Sequence, residues 1–296
     1  MRFVDTRLLR IGYEEINASA ARTVVLLHGW PDSPRCWSRV AEPLAEAGWR
    51  VLMPALRGFS PTRFLRAETP RTGQLAALGR DLLEFIDALC LPAPALVGHD
   101  WGARAAANAC GLRPGVASHL VMLSVGYGTN NADQPMDLDQ IRNYWYHWFM
   151  ATPRGEETVH RQRRAFARFM WDNWSPPGWY SEAEFDAAAQ AFDNDDWPAV
   201  TLHSYRHRWG HAAGDPAYDA DEARLQPPPV LDVPTLVLHG EEDAVNHPGM
   251  SANKEVFFRG PYRRVLIEGV GHFPSREAPA RVATEIIRFL SSPPLS

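Results

Sequence analysis

Gly98-His99-Asp100-Trp101-Gly102 is the stretch of the chain that points most directly to a fold. It follows the apolar segment ALV and precedes the alanine-rich segment ARAAANAC, which predicts a strand, a sharp turn and a helix. A turn of this kind with a glycine on each side is typical of a nucleophile elbow, which projects its central side chain above a sheet. The glycines leave room beside a strained central residue. Asp100 is therefore a candidate nucleophile.

Short apolar segments alternate with amphipathic ones on both sides of this turn. The alternation predicts an α/β fold in which helices cover a mostly parallel, doubly wound sheet. The predicted strands are Thr23–Leu27, Arg50–Pro54, Ala93–Val97, Leu120–Val125, Thr235–His239 and Arg264–Ile267. The predicted helices are Gln74–Cys90, Ala103–Cys110 and Pro279–Leu290.

The alternation stops over residues 130–229, which contain no clear buried strand and hold seven of the eleven tryptophans and five of the eight tyrosines. The segment ends in Gln226-Pro227-Pro228-Pro229, a run that cannot continue a helix. A loop of this length without secondary structure is implausible in a compact protein. We therefore predict a core domain from residues 1–129 and 230–296, with residues 130–229 inserted as a helical cap.

Two further residues complete a candidate triad with Asp100. Asp243 follows the strand predicted at Thr235–His239, and His272 follows the strand predicted at Arg264–Ile267. The chain order of nucleophile, acid and histidine is the order found in hydrolases with a nucleophile elbow. Alone, Asp243 is more simply a turn residue and His272 a loop histidine, but the order and the shared position after strands favour a site.

The loop His28-Gly29-Trp30-Pro31, just after the first of these strands, is the fourth element of the predicted site. In this arrangement one oxyanion-hole N–H comes from that loop and the other from the residue after the nucleophile. The candidate donors are the backbone amides of Trp30 and Trp101.

The motifs HGWPDS at 28–33, LRGFS at 56–60, GHDWGA at 98–103, HGEED at 239–243 and GVGHFP at 269–274 resemble those of the α/β-hydrolase superfamily. Within it, the chain is most similar to epoxide hydrolases of the aspartate-nucleophile branch. The resemblance implies an α/β-hydrolase fold with an inserted helical cap, no cofactor, and two cap tyrosines that hydrogen-bond the epoxide oxygen. These would be Tyr205 and Tyr146, with Tyr144 as the other choice of register.

An aspartate nucleophile suits displacement at a saturated carbon, because attack on an ester would give a high-energy anhydride. The product is an alkyl ester of Asp100, which water deprotonated by His272 would hydrolyse while Asp243 holds the imidazole. The leaving group remains open: an epoxide oxygen would need an acid such as tyrosine, and a halide would need N–H donors.

Dehalogenases of the same branch are the main alternative. Haloalkane dehalogenases commonly have Asn at the position of Trp30, which disfavours them. The resemblance to fluoroacetate dehalogenases would make His147, Trp148 and Tyr205 halide or substrate contacts, and Arg104 matches a carboxylate-binding arginine. Trp101 stands where that family has a second arginine, so one carboxylate contact is missing. A non-catalytic binding protein on a hydrolase scaffold is less favoured, because no triad residue is lost.

Composition excludes several other classes. A formal net charge of −5 gives no reason to expect nucleic acid or anionic membrane as a partner. No apolar segment is long enough to cross a bilayer, and the N-terminus lacks the apolar segment of a secretory signal. Three scattered cysteines, Cys36, Cys90 and Cys110, suit reduced thiols in a cytoplasmic protein.

We predict a small-molecule substrate, most simply an apolar or aromatic epoxide. An exposed cap or a spare sheet edge could support a homodimer. His203, His207 and His211 stand at helical spacing, but they lack a carboxylate or a ligand from a second element, so we predict no metal.

Overall fold

A computed structural model of the chain describes residues 1–129 and 135–291, and nine strands within these residues form one sheet. They are β1 (Arg2–Asp5), β2 (Leu9–Ile16), β3 (Arg22–Leu27), β4 (Trp49–Pro54), β5 (Arg63–Phe64), β6 (Ala95–His99), β7 (His119–Leu123), β8 (Thr235–Gly240) and β9 (Tyr262–Ile267).

The strands are ordered β1-β2-β4-β3-β6-β7-β8-β9, and β5 pairs with β2. The strands from β4 to β9 along this order are parallel to one another, whereas β1, β2 and β5 add antiparallel pairs at one edge. The parallel arrangement brings the carboxyl ends of β3, β6, β8 and β9 to the same edge of the sheet, where open α/β sheets place their sites.

Twelve α-helices lie in the described parts of the chain. They are α1 (Ser38–Glu46), α2 (Leu75–Ala88), α3 (Trp101–Leu112), α4 (Leu138–Asn143), α5 (Trp145–Met150), α6 (Pro153–Arg161), α7 (Arg163–Asn173), α8 (Glu182–Ala189), α9 (Trp197–Arg208), α10 (Asp219–Leu225), α11 (Pro274–Glu277) and α12 (Pro279–Ser291).

The core has two apolar layers because successive residues of a strand point to opposite faces. Val24 and Leu26 of β3 belong to the layer covered by α1 and α12. Val25 and Leu27 belong to the opposite layer, which α2 and α3 cover and which continues into the aromatic residues that follow β7. The sheet is thus covered on both faces, and the predicted α/β-hydrolase fold is confirmed.

Helices α4 to α10 lie between β7 and β8, and we call Leu138–Leu225 the insertion. No strand occurs in it. Residues 130–134, where the predicted cap begins, and residues 292–296, which end the predicted core, lie outside the described residues. None of the described helices is long and apolar enough to cross a membrane.

Candidate active site

Asp100 occupies the tight turn between β6 and α3 that the two glycines predict. Its backbone is left-handed, with φ 47° and ψ −112°, and α3 begins at the next residue. A Cβ atom on Gly98 would lie 2.3 Å from the carbonyl carbon of Gly102, and one on Gly102 would lie 2.3 Å from the carbonyl oxygen of Leu27. Only glycine fits at either position, so the sequence pattern has a direct steric cause.

The loop after β3 contacts the Asp100 carboxylate through a backbone amide. The N–H of Trp30 donates to Oδ1 of Asp100 at 2.9 Å. Trp101 is the first residue of α3, where a helix has N–H groups without an intrahelical acceptor. The structure therefore places the Trp30 amide on the Asp100 carboxylate, and the Trp101 amide follows Asp100 directly in the chain. Among the described residues, Oδ2 of Asp100 receives no hydrogen bond, which leaves it available for attack.

His272 and Asp243 form the second half of the site. Nδ1 of His272 lies 2.9 Å from Oδ2 of Asp243, so the neutral imidazole carries its hydrogen on Nδ1 and has a lone pair on Nε2. The other carboxylate oxygen accepts the backbone N–H groups of Val245 at 3.0 Å and Asn246 at 2.8 Å. Within the described chain, the buried Nε2 of His272 has no partner.

The charges of this pair shift both pKa values in the direction a general base requires. Burial acts to lower the pKa of His272, but the carboxylates of Asp243 and Asp100 raise it above its ordinary value overall. Burial acts to raise the pKa of Asp243, and the opposing effects of His272 and His239 hold it well below its ordinary value. Asp243 therefore stays ionised and stabilises the protonated imidazole.

The insertion contributes directly to the position of His272. The backbone N–H of His272 donates to the carbonyl of Trp174 at 3.1 Å and to Oγ of Ser175 at 2.8 Å. The same Trp174 carbonyl accepts the N–H of Ala244 at 3.3 Å. One segment of the insertion thus braces the loops that carry both the histidine and the acid, a role that the sequence did not signal.

The predicted cap tyrosines meet beside the nucleophile. Nε1 of Trp101 donates to the Tyr205 hydroxyl at 3.2 Å, and the Tyr146 and Tyr205 ring centres lie 5.3 Å apart. Burial raises the pKa of both phenols, so each retains its proton. Tyr144 instead donates its hydroxyl hydrogen to Oδ1 of Asn246 at 2.7 Å, which favours the register that selects Tyr146.

His147 adds a third possible donor beside Tyr205. Nε1 of Trp209 donates to Nδ1 of His147 at 3.0 Å, so the neutral ring carries its hydrogen on Nε2. That Nε2 is buried and has no acceptor in the part of the chain that is described. The His147 and Tyr205 rings lie 4.6 Å apart. Trp148 packs instead on Trp209, with the two ring centres 4.9 Å apart.

Two buried arginines lie on α3, which begins at the elbow, and on α9, which carries Tyr205. Arg104, predicted from the resemblance, lies on α3 one turn after Asp100, and its guanidinium donates to the carbonyl of Thr129 at 2.9 Å. Arg208 was not predicted; its guanidinium carbon lies 4.6 Å from the centre of the Tyr205 ring. The only signal for Arg208 in the sequence is its spacing from Tyr205, because residues three positions apart lie on the same face of a helix.

Of the three histidines at helical spacing, His203 makes structural hydrogen bonds. Nδ1 of His203 accepts the N–H of Gly73 at 3.1 Å, and Nε2 lies 3.0 Å from the carbonyl of Ala213. Helix α9 ends at Arg208, so His211 lies outside it. Over residues 1–129 and 135–291, no group of three His, Cys, Asp or Glu side chains is arranged to hold a metal ion.

Comparison with known proteins gives a consistent assignment. A family model described as alpha/beta hydrolase fold matches residues 22–279. Epoxide hydrolase A of Mycobacterium tuberculosis is 26% identical, with 98% of this chain and 97% of the relative covered. An epoxide hydrolase of Caballeronia sordidicola is 25% identical, with 92% and 88% covered.

A solved structure agrees with these relatives over nearly the full length. The crystal structure of a candidate epoxide hydrolase from Klebsiella pneumoniae superposes with a TM-score of 0.92 at 36% identity, covering 97% of this chain and 96% of that one. The chain therefore belongs to the α/β-hydrolase fold family and is an enzyme that resembles epoxide hydrolases.

Proposed function

We propose that this enzyme hydrolyses an epoxide to a vicinal diol through an alkyl ester of Asp100, with no cofactor. The observation that carries the proposal is the Asp100 carboxylate at the elbow, with one oxygen held by the Trp30 amide and the other unbonded. The Tyr205 hydroxyl, which accepts from the indole of the next residue Trp101, and the similarity to epoxide hydrolases support an epoxide as the electrophile.

In the first step Oδ2 of Asp100 attacks an epoxide carbon. The new bond joins Oδ2 to that carbon, and the carbon–oxygen bond of the ring breaks. The ring oxygen takes the hydroxyl proton of Tyr205, with Tyr146 and Nε2–H of His147 as further donors to it. Burial raises the pKa of Tyr205 and keeps that proton in place until the ring oxygen becomes basic.

In the second step water attacks the ester carbonyl carbon of Asp100. Nε2 of His272 takes one proton from the water, and the negative charge develops on Oδ1. That oxygen already accepts the Trp30 N–H at 2.9 Å, and Trp101 supplies the second amide. One such donor stabilises an oxyanion transition state by about 3–4 kcal/mol. Collapse releases the diol, returns Asp100 to the carboxylate, and lets the proton held by His272 return to Tyr205.

We further propose that residues 130–229 act as a cap over a small-molecule substrate. Support comes from the burial of the reacting groups: Asp100 is 8% exposed and Tyr205 only 1%. Both tyrosines, His147 and Arg208 belong to the insertion, whereas Asp100, Asp243 and His272 follow core strands. Because the reacting groups lie between the core and the insertion, bulk water is excluded from them. The substrate must therefore enter by movement of the insertion.

The test is to trap the ester in the variant His272→Gln. This variant keeps Asp100 and the tyrosines but has no base for the second step, so the ester accumulates. After incubation with styrene oxide, the intact mass should rise by the mass of the whole epoxide, and peptide mapping should place the adduct on Asp100. The double variant His272→Gln/Asp100→Asn is the matched control and should remain unmodified.

The outcome with haloacetates decides the alternative. A mass gain equal to the haloacetate minus its halide, without any gain from epoxides, would replace the proposal by a dehalogenase. An adduct that persists in the Asp100→Asn control would show that a different residue is alkylated and would overturn the role of Asp100.

A further inference from the structure

The loop that carries Asp243 is held by the insertion as well as by the core. We call residues 243–247, which follow β8, the acid loop. Gln140 of α4 uses both ends of its side-chain amide here: Nε2 donates to the Val245 carbonyl at 2.8 Å, and Oε1 accepts the N–H of His247 at 3.3 Å. The position of the acid loop therefore depends on where the insertion lies.

Four hydrogen bonds fix Asn246 within the acid loop. Its N–H donates to Oδ1 of Asp243, and its Nδ2 donates to the carbonyl of Ser124, both at 2.8 Å. Its carbonyl accepts a hydrogen bond from Nε2 of His239 at 2.8 Å, and its Oδ1 accepts one from the Tyr144 hydroxyl at 2.7 Å. Of these four partners, only Tyr144 belongs to the insertion. Tyr144 thus connects the insertion to the residue that donates to the triad carboxylate.

Water cannot take the place of the Tyr144 hydroxyl, because the residue is fully buried. Burial also raises the pKa of Tyr144, so the hydroxyl keeps the hydrogen that it donates. Without that hydroxyl, Oδ1 of Asn246 would have no donor among the described residues, and a buried acceptor that loses its partner is costly. Asn246 would shift to recover a partner, and its N–H would shift relative to Asp243.

We propose that Tyr144 is a positioning residue for hydrolysis of the alkyl ester, acting through Asn246 on the Asp243 carboxylate. With Oδ1 held by backbone amides, Oδ2 of Asp243 faces Nδ1 of His272 at 2.9 Å. A rotated carboxylate would withdraw this acceptor, and His272 would lose the orientation that a base needs. The inference rests on the proposed function. It assigns the second chemical step to Tyr144, whereas Tyr146, two residues later, belongs to the first.

The first test is Tyr144→Phe, which removes the hydroxyl and keeps the ring that stacks on His147. In rapid-quench experiments with styrene oxide, the rate constant of ester hydrolysis should fall at least about tenfold, because a misplacement of about 1 Å can cost about 100-fold. Formation of the ester on Asp100 should keep its rate constant, so the ester should accumulate although His272 is intact. Unchanged hydrolysis would overturn the proposal. So would a loss that is confined to ester formation or equal in both steps.

Tyr127→Phe is the matched control. Tyr127 is also buried, and its hydroxyl donates to the carbonyl of Pro229 at 2.7 Å, a hydrogen bond that does not involve the acid loop. Both rate constants should equal those of the unmodified enzyme. If Tyr127→Phe slowed ester hydrolysis as much as Tyr144→Phe does, the loss would follow from deleting any buried hydroxyl, and the specific role of Tyr144 would be refuted.

The variant Asn246→Ala tests the route by which Tyr144 acts. It removes the acceptor of the hydroxyl but keeps the backbone N–H, and it should slow ester hydrolysis at least as much as Tyr144→Phe. The double variant Tyr144→Phe/Asn246→Ala should be no slower than Asn246→Ala alone, because the hydroxyl has then already lost its acceptor. Losses that multiply in the double variant would show that Tyr144 acts by a different route and would contradict the proposal.

The pH profile of ester hydrolysis gives a second readout. The titratable groups that face His272 are the carboxylates of Asp243, Asp100 and Glu277 and the ring of His99. In the described chain, only Asp243 among them is hydrogen-bonded to Asn246. A loosened Asp243 carboxylate stabilises the imidazolium less, so Tyr144→Phe should reach half of its plateau rate at a lower pH than the unmodified enzyme. A slower reaction with an unshifted profile would place the loss outside this pair and rule the proposal out.

Failure of this inference differs from failure of the proposed function. If the ester forms on Asp100 in His272→Gln but Tyr144→Phe hydrolyses it at the unmodified rate, the role of Tyr144 is removed and epoxide hydrolysis stands. If no ester forms on Asp100 in His272→Gln, the proposed function fails, and this inference fails with it.

Discussion

At the scale of single residues, the site is a set of groups whose protonation states are fixed by their neighbours. Burial, opposed by the Asp243 and Asp100 carboxylates, leaves the pKa of His272 above its ordinary value. The neighbouring histidines behave differently: burial lowers the pKa of His28 and of His99 to about 4, so both remain neutral. Among these three buried rings, only His272 is hydrogen-bonded to a carboxylate, that of Asp243, which stabilises its cation as a general base requires.

We predict that the hydrolysis of the alkyl ester speeds up as the pH rises. In the proposed mechanism His272 accepts a proton from water only when Nε2 is unprotonated, and its raised pKa keeps a larger protonated fraction at pH 6.5 than an ordinary histidine would have. The single-turnover rate constant should therefore increase through and above this pH and then level off. A rate constant that is flat from pH 5 to 9 would contradict the role of His272 as the base.

Asp243→Asn should affect the two chemical steps unequally. The amide cannot stabilise the imidazolium and can force the wrong tautomer of His272, so ester hydrolysis should fall by about 10⁴-fold, as in serine triads. Ester formation should change much less, because Oδ2 of Asp100 needs no base. Rapid-quench measurement of the two steps checks this, and equal losses in both would indicate general damage to the site instead.

At the scale of secondary structure elements, the elbow depends on close contact between β6, α3 and β3. A Cβ atom on Gly102 would lie 2.3 Å from the Leu27 carbonyl oxygen and 2.6 Å from that of His28. Because both contacts are with backbone atoms of a central strand and its loop, no flexible side chain can move aside. The turn therefore tolerates no side chain here, although the residue is helical.

Gly102→Ala should lower the free energy of unfolding by at least about 3 kcal/mol, at the upper end of overpacking costs. Gly115→Ala is the control, because Gly115 has a φ of +79° but no atom within 4 Å of the added Cβ. Gly115→Ala should lower the free energy of unfolding only by the strain of a left-handed backbone, about 1–2 kcal/mol. Urea unfolding of the two variants provides the measurement, and equal costs would show that the close contact is unimportant.

The elements that could be predicted from the sequence are those whose signal is local. Six strands stand out as apolar runs, and five of them are buried because both faces of the parallel sheet are covered, whereas β9 lies at the sheet edge. The antiparallel strands β1, β2 and β5 were missed; in β2, charged residues such as Glu14 and Glu15 interrupt the apolar pattern. The triad candidates follow strands and were equally visible, whereas the contact of Arg208 with Tyr205 and the bracing by Trp174 arise from tertiary packing alone.

At the scale of the whole molecule, one buried ion pair connects the core to the insertion. Arg57, in the loop after β4, donates to both oxygens of Asp81 on α2 at 2.5 and 2.6 Å. It also donates to the Tyr218 hydroxyl at 3.2 Å, just before α10. Burial alone would raise the pKa of Asp81, and it remains raised despite the attraction of Arg57. The arginine is therefore needed to keep this carboxylate charged inside the protein.

Arg57→Met should reduce the free energy of unfolding by about 3–5 kcal/mol at pH 7, because it leaves Asp81 buried and unpaired. The double variant Arg57→Met/Asp81→Leu should recover most of this loss, since no charge is left without a partner. Arg113→Met is the control for an exposed pair, with Asp87, and should cost no more than about 1 kcal/mol.

The pH dependence separates an unpaired charge from a simple packing defect. Without Arg57 the pKa of Asp81 rises further above its unfolded value, so the folded state binds a proton more tightly than the unfolded chain does. The deficit of Arg57→Met should therefore shrink as the pH falls and grow as it rises, whereas a cavity would cost the same at every pH. Urea unfolding at pH 5 and pH 8 makes the comparison, and a deficit that does not change between them would place the cost in lost packing between the insertion and the core.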